Sequence, residues 1–476
     1  MKISLFIIAM LLSFGSFAQG GYDIKFTITG LKDTTAYLGY HFGESTLVMD
    51  TATVSAQGEF AFTNKKEFRE GLYFLAIGFT KAFEFVVGEN QHFNITTSTA
   101  DYGSQLSSND AENTLFFDHQ KFNTGQLVLA DPFIKVLKDS TASEKAKTEA
   151  RESYRKIAIT ANQYQEDILA QHPATILGKI LKANKPQTAP EPPKKANGQI
   201  DSTFQLRWYR QHFFDNIDLA DDMYARLPNQ FYKNAINEYL DKLYAQNPDS
   251  LWTGIQYIIN KTKKNRETYK YAVWTCIVKY QQPEIMGLDE LYMRLYDEYL
   301  ATGEMDFWMS DKTKQDIKEM ADRIRPCAIG KTGANLIMQD VNLRPKALYD
   351  VKAKYTLLYI FSSSCGHCKT ETPKLVEFYR LNKTKFDVDI YAVDADTAMA
   401  ETKRFIKEMK MPWTTVSGPR SYQGSYRVLY DAETTPAIYI LDNNKKIIAK
   451  KLKVEQLEQF FNDRRKQDLI TKNNRL

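Results

Sequence analysis

Apolar and polar positions follow three successive patterns along this chain. From about residue 21 to residue 99 they alternate in short runs. Asp23-Ile24-Lys25-Phe26-Thr27-Ile28-Thr29 alternates and stops at Gly30. Residues 35–42, 59–63, 72–79, 83–87 and 92–96 behave alike, divided by Gly58, Gly71 and Gly88-Glu89-Asn90. A period of two sends successive side chains to opposite faces of a strand, and many short strands between turn residues predict a β-sandwich. From about residue 110 to residue 325 the apolar spacing becomes helical, as in residues 144–169 and 234–243. The aromatic run Trp208-Tyr209-Arg210-Gln211-His212-Phe213-Phe214 reads as helix packing rather than a ligand box. Residues 185–198, with Pro186, Pro190, Pro192 and Pro193, predict a loop that splits the helical region. The third pattern alternates strands and helices. Residues 355–361 form a near-continuous apolar strand, 366–382 a helix, 386–393 a strand and 398–409 a helix. A hairpin of residues 436–441 and 446–450 turns at Asp442-Asn443-Asn444, and residues 454–464 close as an amphipathic helix.

A chain of 476 residues predicts several domains. The expected architecture is multidomain α+β: a β-sandwich over 21–105, an α-helical domain over 110–328 and an α/β domain over 335–467. A hydrophobic share of 43%, with 28 Tyr and 28 Phe, is enough to bury real cores. The net charge of +5 is small for this length, and the basic run Lys261-Thr262-Lys263-Lys264-Asn265-Arg266 reads as a solvated helix end or loop, so no nucleic-acid partner is expected. At the N-terminus, Lys2 precedes an apolar stretch from Ile3 to Phe14, and Ser16-Phe17-Ala18 puts small residues where a signal peptidase cuts. The expectation is a signal peptide over 1–18, export to the periplasm and no stable membrane span after cleavage. The alternative is an uncleaved anchor. No Cys near the cut argues for lipidation.

Export makes disulfides available, yet the chain holds only four Cys. Cys365 and Cys368 form a C-x-x-C pair, while Cys276 and Cys327 stand far apart. That usage suits a redox tool better than a cross-linked scaffold. A thiol attacks as its thiolate, and a Cys at a strand end that opens a helix lies where helix-terminal N–H groups stabilise the anion. Cys365 is therefore read as the exposed nucleophile. Cys368, in the first turn, is read as the more buried thiol that resolves the mixed disulfide. Gly366 allows a tight turn, and His367, when protonated, would stabilise the thiolate further. Zinc binding would need two more ligands, which Cys276 and Cys327 do not supply as a close pair, and haem attachment fails because position 369 is Lys.

The segment Phe361-Ser362-Ser363-Ser364-Cys365-Gly366-His367-Cys368-Lys369-Thr370-Glu371-Thr372-Pro373 resembles the redox segment of the thioredoxin superfamily. Glu371-Thr372-Pro373 and Thr434-Thr435-Pro436 resemble its TlpA/ResA-type periplasmic branch. The whole chain also looks like exported thioredoxin proteins that carry a β domain and a helical domain ahead of the redox domain. The resemblance implies a thioredoxin fold and no cofactor beyond a Cys365–Cys368 disulfide. It implies protein thiols and disulfides as partners, with an unidentified periplasmic or membrane electron donor. It also implies that Glu371 tunes thiol protonation and that Pro436 is cis, leaving the Thr435 backbone to pair with substrate. The Gly-His pair is that of protein disulfide isomerase, whose potential of about −180 mV lies above the about −270 mV of thioredoxin. Two positions depart from the pattern. Tyr359 stands where ordinary thioredoxin has a buried acid, and Ser364 where relatives often have Trp. Pro373 is expected to kink its helix.

His41, His92, His119, His172 and His212 are scattered and read as structural, with no metal site expected. Asn94-Ile95-Thr96 reads as a chance glycosylation sequon. Cys276 reads as a buried small hydrophobe. Cys327, at the start of the redox domain, is a candidate for exchange. The function expected is an exported disulfide reductase or isomerase. The alternatives are a binding or assembly protein with a regulatory redox switch, and a dithiol oxidase.

Overall fold

A computed structural model describes residues 21–473. The expected signal peptide lies outside the described residues. The chain forms two compact units, Met1–Tyr239 and Leu240–Leu476.

In the first unit eight strands build two sheets. They are β1 (Tyr22–Thr29), β2 (Thr35–Phe42), β3 (Ser45–Thr53), β4 (Glu59–Asn64), β5 (Gly71–Ile77), β6 (Thr80–Val87), β7 (His92–Ser98) and β8 (Ser107–Ser108). The sheet orders are β4-β1-β7-β8 and β3-β2-β5-β6. The alternation of β1 buries Ile24, Phe26 and Ile28. Phe26 meets Phe85 of the other sheet edge-on, with ring centroids 5.6 Å apart. Strand β3 escapes the pattern because Leu47, Val48 and Met49 are all exposed, so no two-residue period marks it. The expected run 72–79 ends at Ile77, and Phe79 lies in a turn.

Helices α1 (Ala111–Lys138), α2 (Glu144–Gln171), α3 (Ile176–Asn184), α4 (Phe204–His212) and α5 (Phe231–Leu243) follow. Asp110, Ser143 and Thr175 cap the first three by accepting from backbone N–H groups that the first turn leaves free. Asn113 ties α1 to β6 by accepting from Val86 N–H at 2.9 Å and donating to Val86 O at 2.8 Å. Trp208 stacks on His212 at 4.4 Å, and no residue of α4 is fully buried. The packing role falls to Phe213 and Phe214, whose rings meet Tyr239.

The second unit opens with α6 (Pro248–Thr262), α7 (Arg266–Gln281), α8 (Asp289–Leu295) and α9 (Asp311–Ile324). The basic run 261–266 spans the end of α6 and the start of α7. Then come β9 (Ile337–Asp340), β10 (Pro345–Ala347), β11 (Tyr355–Phe361), α10 (Gly366–Phe386), β12 (Val388–Asp394), α11 (Met399–Met409), β13 (Thr414–Ser417), α12 (Tyr426–Leu429), β14 (Ala437–Leu441), β15 (Ile447–Lys450) and α13 (Val454–Asn473). Their seven strands form one sheet of order β10-β9-β13-β12-β11-β14-β15. The expected order of strand, helix, strand, helix, hairpin and helix is present. Three further strands, β9, β10 and β13, are too short for a period to reveal.

Every residue of β11 is buried, so its side chains build two cores. Leu357, Tyr359 and Phe361 face one, with Cys368, Leu375 and Phe405. Leu358 and Ile360 face the other, with Cys327, Tyr430 and Tyr439. The register pairs Phe361 with Asp394 in parallel and Ile360 with Ala437 antiparallel. The loops after β11 and β12, and the segment before β14, therefore meet at the carboxyl end of the strands. Open α/β sheets gather functional loops at that end.

Candidate active site

Cys365 is the N-cap of α10, with extended φ −75° and ψ 127°. Its N–H donates to Ser362 O at 3.1 Å, and its carbonyl accepts the first helical bond, from Lys369 N–H at 3.2 Å. The Cys365 thiol is partly exposed and donates to Thr435 O at 3.6 Å. Cys368, one turn on, is fully buried. Its sulfur accepts from Ser362 N–H at 3.5 Å. Both thiols are free, as in the reduced form of the pair.

The two sulfurs titrate in opposite directions. Partial burial pushes the Cys365 thiol up. The Cys368 N–H, the Cys368 thiol, Thr435 and the His367 N–H outweigh that, and the net direction is down. Burial pushes Cys368 up to about 12. Of the two, Cys365 is the thiol that gives up its proton more readily.

The other expected residues gather around this pair unequally. Gly366 and His367 form the exposed first turn. His367 offers its backbone N–H to the Cys365 sulfur. The Thr435-Pro436 bond is cis, and the Thr435 carbonyl lies 3.6 Å from the Cys365 sulfur. Glu371 is half-buried and its carboxylate pairs with Lys374 at 2.7 Å, one turn further along α10. Lys374 also reaches Glu455 at 2.6 Å. The helix runs through Pro373 as one element to Phe386. Tyr359, in place of an acid, is fully buried, and its hydroxyl meets Thr372 Oγ1 at 2.8 Å. Thr372 Oγ1 lies 2.7 Å from Cys368 O and donates to it. Burial holds the Tyr359 phenol well above its ordinary range, so this position offers no ionisable relay.

Cys276 is fully buried in α7, as expected, and burial pushes its thiol up to about 12. The candidacy of Cys327 for exchange is overturned. Cys327 is buried in the core on the opposite face of the sheet from Cys368, with the layer of β11 between them. Its thiol donates to Ile324 O at 3.5 Å.

Two carboxylates at the site have no counterpart among the expected residues. Asp394 ends β12, and Asp396 follows in the loop. Asp396 accepts from Ser362 Oγ at 2.9 Å, Ser363 Oγ at 2.9 Å and Ser364 N–H at 2.8 Å. Asp394, fully buried, accepts from Ser363 N–H at 3.1 Å and Thr402 Oγ1 at 2.9 Å. The signal for them was the Ser362-Ser363-Ser364 run itself, a cluster of hydroxyl and N–H donors that calls for acceptors. Among the described residues no group of three or more His, Cys, Asp or Glu could hold a metal ion, and no helix is long and apolar enough to cross a membrane.

Residues 329–450 match the model of the AhpC/TSA family, and residues 187–325 that of a domain of unknown function, DUF5106. A thiol-disulfide oxidoreductase ResA of Bacillus cereus is 29% identical over 134 residues, which is 28% of this chain and 74% of that protein. A domain of a possible thiol-disulfide isomerase from Cytophaga hutchinsonii is 37% identical, with 31% of this chain and 98% of that one covered and a TM-score of 0.29. A thiol:disulfide interchange protein from a Bacteroides species is 29% identical, with 29% and 92% covered and a TM-score of 0.26. The ResA relative is named for thiol–disulfide oxidoreduction, and Cys365 and Cys368 are both free at the start of α10 here. By its C-terminal domain, this chain is a TlpA/ResA-like member of the thioredoxin superfamily and a thiol–disulfide oxidoreductase.

Proposed function

We propose that the chain is an exported reductase or isomerase of protein disulfides, working through Cys365-Gly366-His367-Cys368. The observation that carries this reading is the unequal setting of the two sulfurs. Cys365 is partly exposed with its thiol pushed down, and Cys368 is buried with its thiol pushed up.

The steps follow from that inequality. The Cys365 thiolate attacks one sulfur of a substrate disulfide. The substrate S–S bond breaks, a Cys365–substrate disulfide forms, and the departing sulfur takes a proton. Cys368 then gives up its proton and attacks the Cys365 sulfur. That closes the Cys365–Cys368 disulfide and releases the second substrate thiol. Two electrons pass to the substrate, and a periplasmic or membrane dithiol donor returns them. In isomerisation a substrate thiol releases Cys365 instead. The Thr435 carbonyl beside Cys365 supports a substrate chain lying extended against the Thr435-Pro436 segment.

Export rests on the apolar stretch between Lys2 and Ala18. We read residues 21–105 as a β-sandwich, 110–328 as a helical domain and 335–467 as the thioredoxin-like domain. The ring contacts between the two N-terminal sheets support the sandwich. Trapping tests the function. Cys368→Ala should accumulate mixed disulfides through Cys365, and the purified wild type should reduce insulin. No captured partner together with no insulin reduction would sink the reading.

A further inference from the structure

The segment between β11 and Cys365 is fastened almost wholly from one side. Ser362 and Ser363 donate their hydroxyls to the Asp396 carboxylate, each at 2.9 Å, and Ser364 donates its N–H at 2.8 Å. The Ser363 N–H goes to Asp394 at 3.1 Å. Asp396 is itself held. Its N–H donates to Asp394 Oδ1 at 3.1 Å, and its carbonyl accepts from Ser417 Oγ at 2.7 Å.

Ser362 links this clamp to both cysteines. Its carbonyl accepts the Cys365 N–H at 3.1 Å, which sets the N-cap. Its own N–H points at the Cys368 sulfur, 3.5 Å away. A charged acceptor with three donors is stronger and more directional than neutral pairs would be. Hydrogen bonds to Asp396 therefore fix the segment that leads into the pair.

We propose that Asp396 is a positioning residue for thiol exchange, holding Ser362, Ser363 and Ser364 so that the Ser362 N–H stays aimed at the Cys368 sulfur and Cys365 stays at the N-cap of α10. This rests on the redox reading above. The charge and the positioning of Asp396 act in opposite senses, which makes the idea testable. A nearby anion alone opposes thiolate formation, so deleting it would lower the Cys365 titration. Loss of the clamp would loosen Cys365 at the N-cap and raise it.

The test is the pH profile of Cys365 alkylation by iodoacetamide in the full reduced chain, with insulin turnover and circular dichroism alongside. Asp396→Ala should move the profile midpoint upward and lower turnover on the order of tenfold, with secondary structure unchanged. Asp396→Asn, which keeps an acceptor, should stay nearer the wild type. A midpoint that falls, an unmoved profile, or an Asn variant worse than Ala would overturn the proposal. Should Asp396→Ala not fold, Ser362→Ala with Ser363→Ala removes two donors and leaves the carboxylate. It should move the midpoint upward by less, and no movement overturns the proposal. A wild type without insulin turnover would sink the enzyme reading alone, because the alkylation profiles would still decide the role of the clamp.

Discussion

The seven-stranded sheet has a cysteine buried against each of its faces, and the two have opposite prospects. Cys368 packs with Leu357, Tyr359 and Phe361, while Cys327 packs with Leu358, Ile360 and Tyr439. Both are deeply buried and both thiols are pushed up by desolvation. The difference is the neighbour. Cys368 has Cys365 one turn away at an exposed helix start, whereas Cys327 sits among apolar side chains with its thiol turned to backbone carbonyls. Burial alone makes a thiol inert. Burial next to a reactive thiol makes it a resolving group.

Substitution at the sulfurs should give the largest contrast. Cys365→Ser is expected to drop insulin reduction to background. Cys327→Ala should retain turnover and lose on the order of 1 kcal/mol of stability in urea unfolding. Substantial loss of turnover in folded Cys327→Ala would break the comparison.

Alkaline pH should separate buried thiols from the exposed one. A thiol raised by burial contributes stability that is whole below its unfolded pKa and lost as pH rises through its folded one. For Cys276 that window runs from about 8.5, the ordinary thiol value, to about 12. Cys276→Ala should therefore show a shallower decline of Tm than the wild type over that range, and parallel declines would refute it. Cys365, pushed down, has the opposite sign. Its contribution is present above the unfolded pKa and lost as pH falls through the folded one.

A smaller effect is expected at Tyr359. Tyr359→Phe removes its hydroxyl from Thr372 and should cost about 1 kcal/mol. The Cys365 alkylation midpoint should stay where it is, since Thr372 keeps its bond to Cys368 O. A shifted midpoint would make the phenol part of the redox site. The smallest change belongs to Lys374→Ala. Its side chain is 44% exposed, so losing the pair with Glu371 should barely move a urea titration. A larger loss, or a Cys365 midpoint that moves in Glu371→Gln, would tie Glu371 to the thiols rather than to Lys374.

The redox helix and its strand were legible because each rests on local pattern. An apolar run, a C-x-x-C pair and a helical period lie within the residues from Tyr355 to Phe386. Strands β9, β10 and β13 were not legible, since three or four residues cannot express a period. Strand β3 was missed for a different reason, because its exposed apolar residues erase the alternation that burial on one face would impose. Asp394 and Asp396 lie some thirty residues beyond the serines they hold, and nothing in their own neighbourhood marks them.

Sequence by itself determined which atoms could do chemistry here. Two cysteines with two residues between them at a strand–helix junction admit little else, and residue type sets what a sulfur can do. Tertiary structure alone decided where Cys327 sits and which distant carboxylates hold the loop before Cys365. Parallel pairing of β11 with β12 brings Asp396 to the serine loop, and the layer of β11 separates Cys327 from Cys368. Thiol reactivity depends on solvent exposure and on the direction of nearby N–H groups. Both are properties of packing between segments distant in the chain, and no local pattern carries them.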